Sequence, residues 1–268
     1  HYCGQCGRGC AQHSNFSSPS VLIPPAMATK KLAIVNNAMA REVTVDDTGR
    51  ATGVSYIDKN TGREHHVQAR IVVLAASACE SARILLNSKS NRFPQGLGNS
   101  SGNVGKYLTD TTGLNVQGFI PKLMSGVPHN EDGVGGMHVF MPWWGDNKKL
   151  DFPRGYHIEP GGGRGMPSFG FMGNVHNHVR AAAAMGVTTS GPGYGKTLMD
   201  DYRRFYGATV GFSGRGEMIP NEKSYCEIDP EVVDRWGIPV LRFHWEWSES
   251  ERAQARHMRR TFGEIVEA

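Results

Sequence analysis

The chain has 268 residues, of which 39% are hydrophobic and 20% are charged, and its formal net charge is +4 at pH 7. This length accommodates one large domain or two ordinary domains around a hydrophobic core. The mild, interspersed charge argues against a nucleic-acid-binding protein, which would cluster its lysines and arginines on one surface. No apolar run reaches the roughly 18–20 residues of a membrane helix, so we expect no membrane span.

The most chemically distinctive motif lies at the start of the sequence. Cys3, Cys6 and Cys10 are separated by glycines, which let a backbone curve around a bound centre. Thiolates bind soft metals and iron–sulfur clusters, but a fourth ligand is not evident, although His13 is near. A loop disulfide or free thiols packed in a turn explain the same pattern. We favour the structural interpretation and assign no metal ligand, and the three-thiolate cluster remains the alternative.

The next segments predict a compact β-structure followed by a helix. A short helical turn is expected at Pro24-Pro25, and a strand at residues 32–35. Alternating apolar residues then predict a three-stranded meander around Val43, Val54 and Val67, with turns rich in Asp, Asn and Gly between the strands. The continuous apolar run of residues 71–76 predicts a parallel strand buried on both faces. A small-residue turn leads from it into a helix.

The second half of the sequence has a different character. After a polar, glycine-rich excursion we place a domain boundary at Leu108, which divides the chain into residues 1–108 and 109–268. Strands are predicted at residues 114–120, 137–141, 155–159, 209–212, 225–229 and 240–245. Ser248 and Glu251 form a capping-box signature, and apolar residues at helical spacing follow it, with Met258 and Phe262 expected in the core. The fold class is therefore α+β or α/β.

Two further patterns each have a structural interpretation and a ligand-binding interpretation. The pair Trp143-Trp144 can form a platform for a sugar or cap a sheet, and we favour the cap. His176 and His178 share a face only on a strand, and no third ligand is close in sequence. We therefore expect exposed or hydrogen-bonded histidines rather than a metal pair.

Three segments resemble the glucose-methanol-choline (GMC) family of FAD-dependent oxidoreductases. Residues 75–88, AASACESARILLNS, resemble the second family signature, although Ala82 stands where proline is usual. Residues 97–108, LGNSSGNVGKYL, are similar to a conserved family turn, and residues 216–239 resemble strands of the substrate domain. We find neither the Gly-x-Gly-x-x-Gly fingerprint nor the terminal catalytic histidine of the family, so we expect an internal fragment of a longer bacterial enzyme.

The resemblance implies part of an FAD-binding domain, followed by part of a substrate-binding domain with a mostly antiparallel sheet. It implies that backbone at Val43 contacts the adenine of FAD. Ala75, Ala76 and Ser77 are small enough for close approach to the cofactor, and the following helix start offers amides. Plain tight packing is the alternative explanation for the two alanines.

The resemblance also implies a reaction. A small-molecule alcohol, polyol or sugar would lose a hydride from its CH–OH group to the flavin, with a histidine as general base. None of the residues that the family uses for catalysis matches this chain, so the catalytic residues are unknown. An electron-acceptor subunit is an expected partner, since the cysteine motif leans towards a dehydrogenase. Two alternatives stay open: an iron–sulfur electron-transfer module, and an inactive fragment that binds FAD weakly or not at all.

Overall fold

The computed structural model describes residues 12–13, 16–124, 148–162, 183–184, 186, 195–205 and 209–268. The chain forms two compact units. Residues 32–110 and 218–247 form one, which we call the meander unit; residues 1–31, 111–217 and 248–268 form the other, the sheet–helix unit. The meander unit is thus assembled from two separate stretches of sequence, and the first of them ends two residues after Leu108. Among the described residues, every helix is too short or too polar to span a lipid bilayer.

The predicted meander is confirmed as an antiparallel sheet. Its strands are β1 (Ala38–Val45), β2 (Ala51–Asp58) and β3 (Glu64–Gln68), in the order β1-β2-β3. Asp46 closes the first turn by accepting the backbone N–H groups of Thr48 and Arg50, both at 2.9 Å. The hydroxyl of Thr48 also donates to this carboxylate, and these hydrogen bonds hold the pKa of Asp46 below its usual value.

Helix α2 (Ser77–Asn87) is joined to β1 by polar contacts at two of its turns. Buried Arg83 donates from Nη2 to the carbonyl oxygen of Ala40 at 3.0 Å. Ser88, directly after the helix, accepts the N–H of Val43 at 2.8 Å and donates its hydroxyl to the carbonyl of Ile84 at 2.6 Å. These contacts fix the helix against the outer edge of the sheet.

Two predicted strands are wrong. Residues 71–76 form no strand, and the side chains of Ile71 and Val73 are 79% and 81% exposed. A parallel strand buried on both faces needs hydrogen-bonded neighbours and covering helices, and the described part of the meander unit supplies neither to this segment. Residues 32–35 are likewise irregular and largely exposed.

A hairpin completes the meander unit. Strand β7 (Tyr225–Val233) pairs with β8 (Pro239–His244), which confirms both predictions. The N–H of Cys226 donates to the carbonyl of Gly105 at 2.7 Å. Gly105 has φ +83°, and a Cβ atom there would collide with the carbonyl oxygen of Cys226. Only glycine therefore combines this backbone angle with this close approach.

The sheet–helix unit contains a three-stranded antiparallel sheet with strand order β4-β6-β5. Its strands are β4 (Thr111–Phe119), β5 (Tyr156–Gly162) and β6 (Thr209–Glu217), and each coincides with or extends a predicted strand. The unit also contains α1 (Ile23–Ala28) after a π-helical turn (Ser18–Leu22), α3 (Pro121–Met124), α4 (Gly195–Phe205) and α5 (Glu249–Glu267).

Helix α5 packs on one face of this sheet, and the hydrophobic core of the unit lies between the helix and the sheet. The predicted capping box of Ser248 and Glu251 is present at its first turn. Met258 and Phe262 are fully buried, as predicted, and each contributes about 1.5–3 kcal/mol by leaving water. Gly214 lets the helix approach, because a Cβ atom there would lie 2.5 Å from the sulfur of Met258. Apolar side chains from the strands and the preceding loop complete this core: Leu114, Val116, Phe152, Tyr156, Ile158 and Phe212.

Several sequence predictions lie outside the described residues. They are the cysteine motif (Cys3, Cys6 and Cys10), the predicted strand at residues 137–141, the pair Trp143-Trp144, and the histidines His176 and His178.

Candidate functional site

Val43, the predicted adenine contact, is a buried residue of β1 with 5% of its surface exposed. Its backbone N–H donates to the Ser88 hydroxyl, so this donor is already engaged within the chain. Val43 meets α2 at the carboxyl end of the helix. Ala75, Ala76 and Ser77 lie at the amino end, about 16 Å away along an 11-residue helix. The structure therefore places the predicted residues at opposite ends of α2.

The amino end of α2 has features that suit a cofactor. Ala75 and Ala76 are exposed, so their backbone is accessible. Ser77 has φ +69°, which is an uncommon backbone angle for a residue with a side chain. Ala76 occupies the N-cap position, and no side chain caps the first turn of the helix. The first amides of a helix carry a partial positive charge and favour anionic oxygens.

Arg83, one and a half turns into α2, adds a buried positive charge. Its Nε donates to Glu80 at 2.7 Å, and its Nη2 donates to the Ala40 carbonyl. Nη1 is buried and has no hydrogen-bond partner among the described residues. A buried donor without an acceptor is costly, and it is normally satisfied by protein, water or ligand. The uncapped amides and the small residues fit an oxygen-rich, negatively charged group such as FAD, and Arg83 Nη1 is a further buried donor on the same helix.

A second candidate site lies on the face of the sheet opposite α5. Along β4, Thr111, Gly113, Asn115 and Gln117 are exposed and alternate with residues that face the helix. On β6 the exposed side chains are Arg215 and Glu217, which alternate with buried Gly214 and Gly216. The antiparallel register brings His157 of β5 opposite Arg215, and Glu159 opposite Ser213. Every described side chain on this face is polar, and we call it the polar face.

The polar face contains a shallow cavity of about 460 Å³. Its lining residues come from all three strands: Thr111, His157, Glu159, Arg215, Gly216 and Glu217. Glu159 is central, because its two carboxylate oxygens lie 3.3 Å from His157 Nε2 and 3.4 Å from Arg215 Nε. Arg154 approaches Glu217 to 3.8 Å. The cavity is therefore lined by ion-paired side chains that can still form hydrogen bonds with a ligand.

Sequence reasoning did not find this cluster. Arg215 and Glu159 are 56 residues apart, and only the register of β5 with β6 brings them together. The available signal was the alternation of polar residues with glycine or apolar residues in 213–217 and 156–159, which marks one polar face on each strand.

Tyr156, which is fully buried, and His257, which is partly buried, form a polar pair on the other side of the sheet. The Tyr156 hydroxyl lies 2.8 Å from His257 Nδ1. Burial raises the pKa of Tyr156 to about 12 and, together with the charge of Arg260, lowers the pKa of His257. Because the pair packs among Phe152 and Phe262 under α5, it belongs to the core rather than to the polar face.

The described ranges contain no group of three or more His, Cys, Asp or Glu residues that could hold a metal ion. The two cysteines in these ranges carry free thiols, with Cys79 partly exposed and Cys226 buried. Burial, with a smaller contribution from Cys79, raises the pKa of the Cys226 thiol. A buried thiol with a raised pKa is a poor nucleophile, and this supports a structural role for Cys226.

Comparison with known proteins decides the family. A family model described as GMC oxidoreductase matches residues 1–112. A 2-methyl-1,2-propanediol dehydrogenase of Mycolicibacterium austroafricanum is 31% identical over 213 residues, which are 78% of this chain and 35% of that protein. The chain belongs to the GMC oxidoreductase family. This result confirms the resemblance seen in the sequence and, with it, FAD as the cofactor.

Other GMC relatives match more of the chain at lower identity. A gluconate 2-dehydrogenase flavoprotein of Pantoea cypripedii is 26% identical across 100% of this chain and 42% of its own length. The fructose dehydrogenase large subunit of Gluconobacter japonicus is 25% identical across 91% of this chain and 41% of its own length. The chain thus spans about two fifths or less of the length of these relatives.

Proposed function

We propose that the whole protein is an FAD-dependent dehydrogenase that oxidises a CH–OH group of a small alcohol, polyol or sugar. The observation that carries this proposal is the 31% identity with a 2-methyl-1,2-propanediol dehydrogenase over 78% of the chain. The gluconate and fructose dehydrogenases support the same reaction type, because both are named as dehydrogenases of hydroxylated compounds. The three names differ in substrate, so the class of alcohol has to come from the site.

The meander unit would hold part of the cofactor. Ala75 and Ala76 would allow close approach of the backbone, and Ser77 would present the uncapped first turn of α2 to an anionic group. Arg83 Nη1 would add a buried positive donor to the same helix. Val43 would contact the adenine of FAD without its backbone N–H, because this N–H already donates to the Ser88 hydroxyl. When bound, FAD supplies the hydride acceptor for the reaction.

The sheet–helix unit would bind substrate through its polar face. Side chains on paired strands are held rigidly, and a rigid constellation orients a substrate more accurately than loops do. We assign no general base among the described residues. We also propose a partner that accepts electrons, because the names of two relatives, a flavoprotein and a large subunit, indicate multi-subunit dehydrogenases.

Anaerobic flavin reduction tests the proposal. The full-length protein is purified with its cofactor and mixed without oxygen with 1,2-diols, sugars and simple alcohols. We expect the oxidised flavin absorption to disappear with at least one hydroxylated compound, at a rate that saturates with its concentration. Oxidised flavin that persists with every alcohol would refute the dehydrogenase proposal. A protein without flavin bands but with a broad brown absorption and an EPR signal would instead support the iron–sulfur module.

A further inference from the structure

The composition of the polar face constrains what it can bind. Its described side chains are hydroxyls, amides, an imidazole, carboxylates and a guanidinium, contributed by three adjacent strands. The members are Thr111, Asn115, Gln117, His157, Glu159, Ser213, Arg215 and Glu217. Since the described side chains of this face are all polar, they recognise a ligand through hydrogen bonds rather than by burying hydrocarbon.

The described charged residues of this face form two ion pairs. Glu159 lies 3.4 Å from Arg215, and Glu217 lies 3.8 Å from Arg154, so each of these carboxylates is paired with a guanidinium group. A carboxylate ligand would compete with Glu159 for Arg215 and would lie beside a negative charge. A neutral ligand keeps both ion pairs intact. The charge arrangement therefore favours neutral ligands over acids.

Glu159 and Arg215 can also form hydrogen bonds with two adjacent hydroxyl groups of a ligand. A hydroxyl both donates and accepts, so one hydroxyl can donate to the carboxylate while its neighbour accepts from the guanidinium. Hydrogen bonds to charged groups are roughly twice as strong as neutral ones. His157, at 3.3 Å from the same carboxylate, holds Glu159 in place.

We propose that the polar face selects a neutral polyhydroxylated substrate, with Glu159 and Arg215 binding a pair of adjacent hydroxyl groups. The inference rests on the proposed function, because it names the substrate class of that dehydrogenase. Glu159 excludes sugar acids by occupying Arg215, and His157 is a positioning residue for Glu159. Simple alcohols with one hydroxyl group are poor ligands, because they leave the polar groups of the site without partners.

Three five-carbon compounds separate these properties: xylitol is a neutral polyol, D-xylonate is an acid on the same skeleton, and 1-pentanol has one hydroxyl group. Binding of each to the full-length holoenzyme is measured by calorimetry, and anaerobic flavin reduction gives kcat/KM for each. We expect the native protein to bind xylitol at least about tenfold more tightly than D-xylonate or 1-pentanol, the effect of one charge-assisted hydrogen bond.

Two variants and a matched control assign the effect to the ion pair. Glu159→Gln leaves Arg215 available to a carboxylate, so the preference for xylitol over D-xylonate should fall about tenfold. Arg215→Met should weaken xylitol binding by a similar factor and leave 1-pentanol unchanged. Glu267→Gln makes the same chemical change as Glu159→Gln at the exposed end of α5, and it should change neither preference. Thermal unfolding checks that all three variants fold.

The outcomes separate the inference from the proposed function. Xylitol preference that is unchanged in Glu159→Gln and Arg215→Met overturns the inference, even if alcohols reduce the flavin. Preferential binding of D-xylonate by the native protein also overturns it. If no alcohol reduces the flavin, the dehydrogenase proposal fails, while the calorimetric preference and its dependence on Glu159 still decide whether the polar face recognises polyols.

Discussion

The contact between Ser88 and Val43 predicts a measurable loss of stability when the Ser88 hydroxyl is removed. Ser88 is 5% exposed, and its Oγ accepts the N–H of Val43 at 2.8 Å. In Ser88→Ala this N–H stays buried without an acceptor, at a cost of about 1–3 kcal/mol. The carbonyl of Ile84 remains satisfied, because it also accepts the backbone N–H of residue 88 at 3.0 Å. The expected loss therefore comes almost entirely from the orphaned Val43 N–H.

Urea unfolding followed by circular dichroism measures this change. Ser81→Ala is the matched control, since it removes a hydroxyl from the same helix that has no hydrogen-bond partner among the described residues. We expect the control to stay within about 0.5 kcal/mol of the native protein. A Ser88→Ala variant that is as stable as the control would refute the argument that this hydroxyl joins α2 to β1. It would also remove the reason for excluding the Val43 N–H from cofactor binding.

Four further changes test other parts of the structure. Ala76→Leu should lower the flavin-to-protein ratio of the purified holoenzyme, because a larger side chain blocks approach to α2, whereas Ala28→Leu at the exposed end of α1 should not. Gly105→Ala should lower the free energy of unfolding by about 1–3 kcal/mol more than Gly102→Ala, as measured by denaturant unfolding. Both glycines have positive φ, but only at Gly105 would a Cβ atom collide with Cys226. Phe262→Ala should lower the free energy of unfolding by about 3–5 kcal/mol. Ile265→Ala should lower it much less, because the Ile265 side chain is 41% exposed, and equal losses would contradict the assigned core. Burial lowers the pKa of His257 from its usual 6.5, so the imidazole is protonated at a higher pH in the unfolded chain than in the folded one. The stability of the folded protein therefore falls as the pH drops below about 6.5. The fall should be smaller in His257→Gln, as measured by unfolding at several pH values, and an identical pH dependence in both proteins would contradict the burial of this imidazole.

The sequence predicted the local structure well where the signal itself was local. The capping box at Ser248, the turn at Asp46 and the alternation of β4 each depend on residues within a few positions of one another. The prediction was wrong for residues 71–76, because burial of an apolar run depends on neighbours that are distant in sequence. The same limit applies to Ile265, whose spacing matches Met258 and Phe262 although its side chain is 41% exposed.

The two candidate sites differ in how the sequence encodes them, and this explains which of them could be predicted. At the start of α2 the proposed contacts use backbone amides and small side chains, so a short contiguous motif contains most of the information. On the polar face, recognition uses long side chains from β4, β5 and β6, and their proximity depends on the register of three strands. Since Glu159 and Arg215 face each other diagonally across that register, a shift by one residue would move one of them into the core beneath α5. Gly214 and Gly216 oppose such a shift, because α5 packs so closely on them that Arg215 or Glu217 could not take their places. Gly214 and Gly216, which allow α5 to pack closely on the sheet, therefore also keep the charged residues of β6 on the polar face.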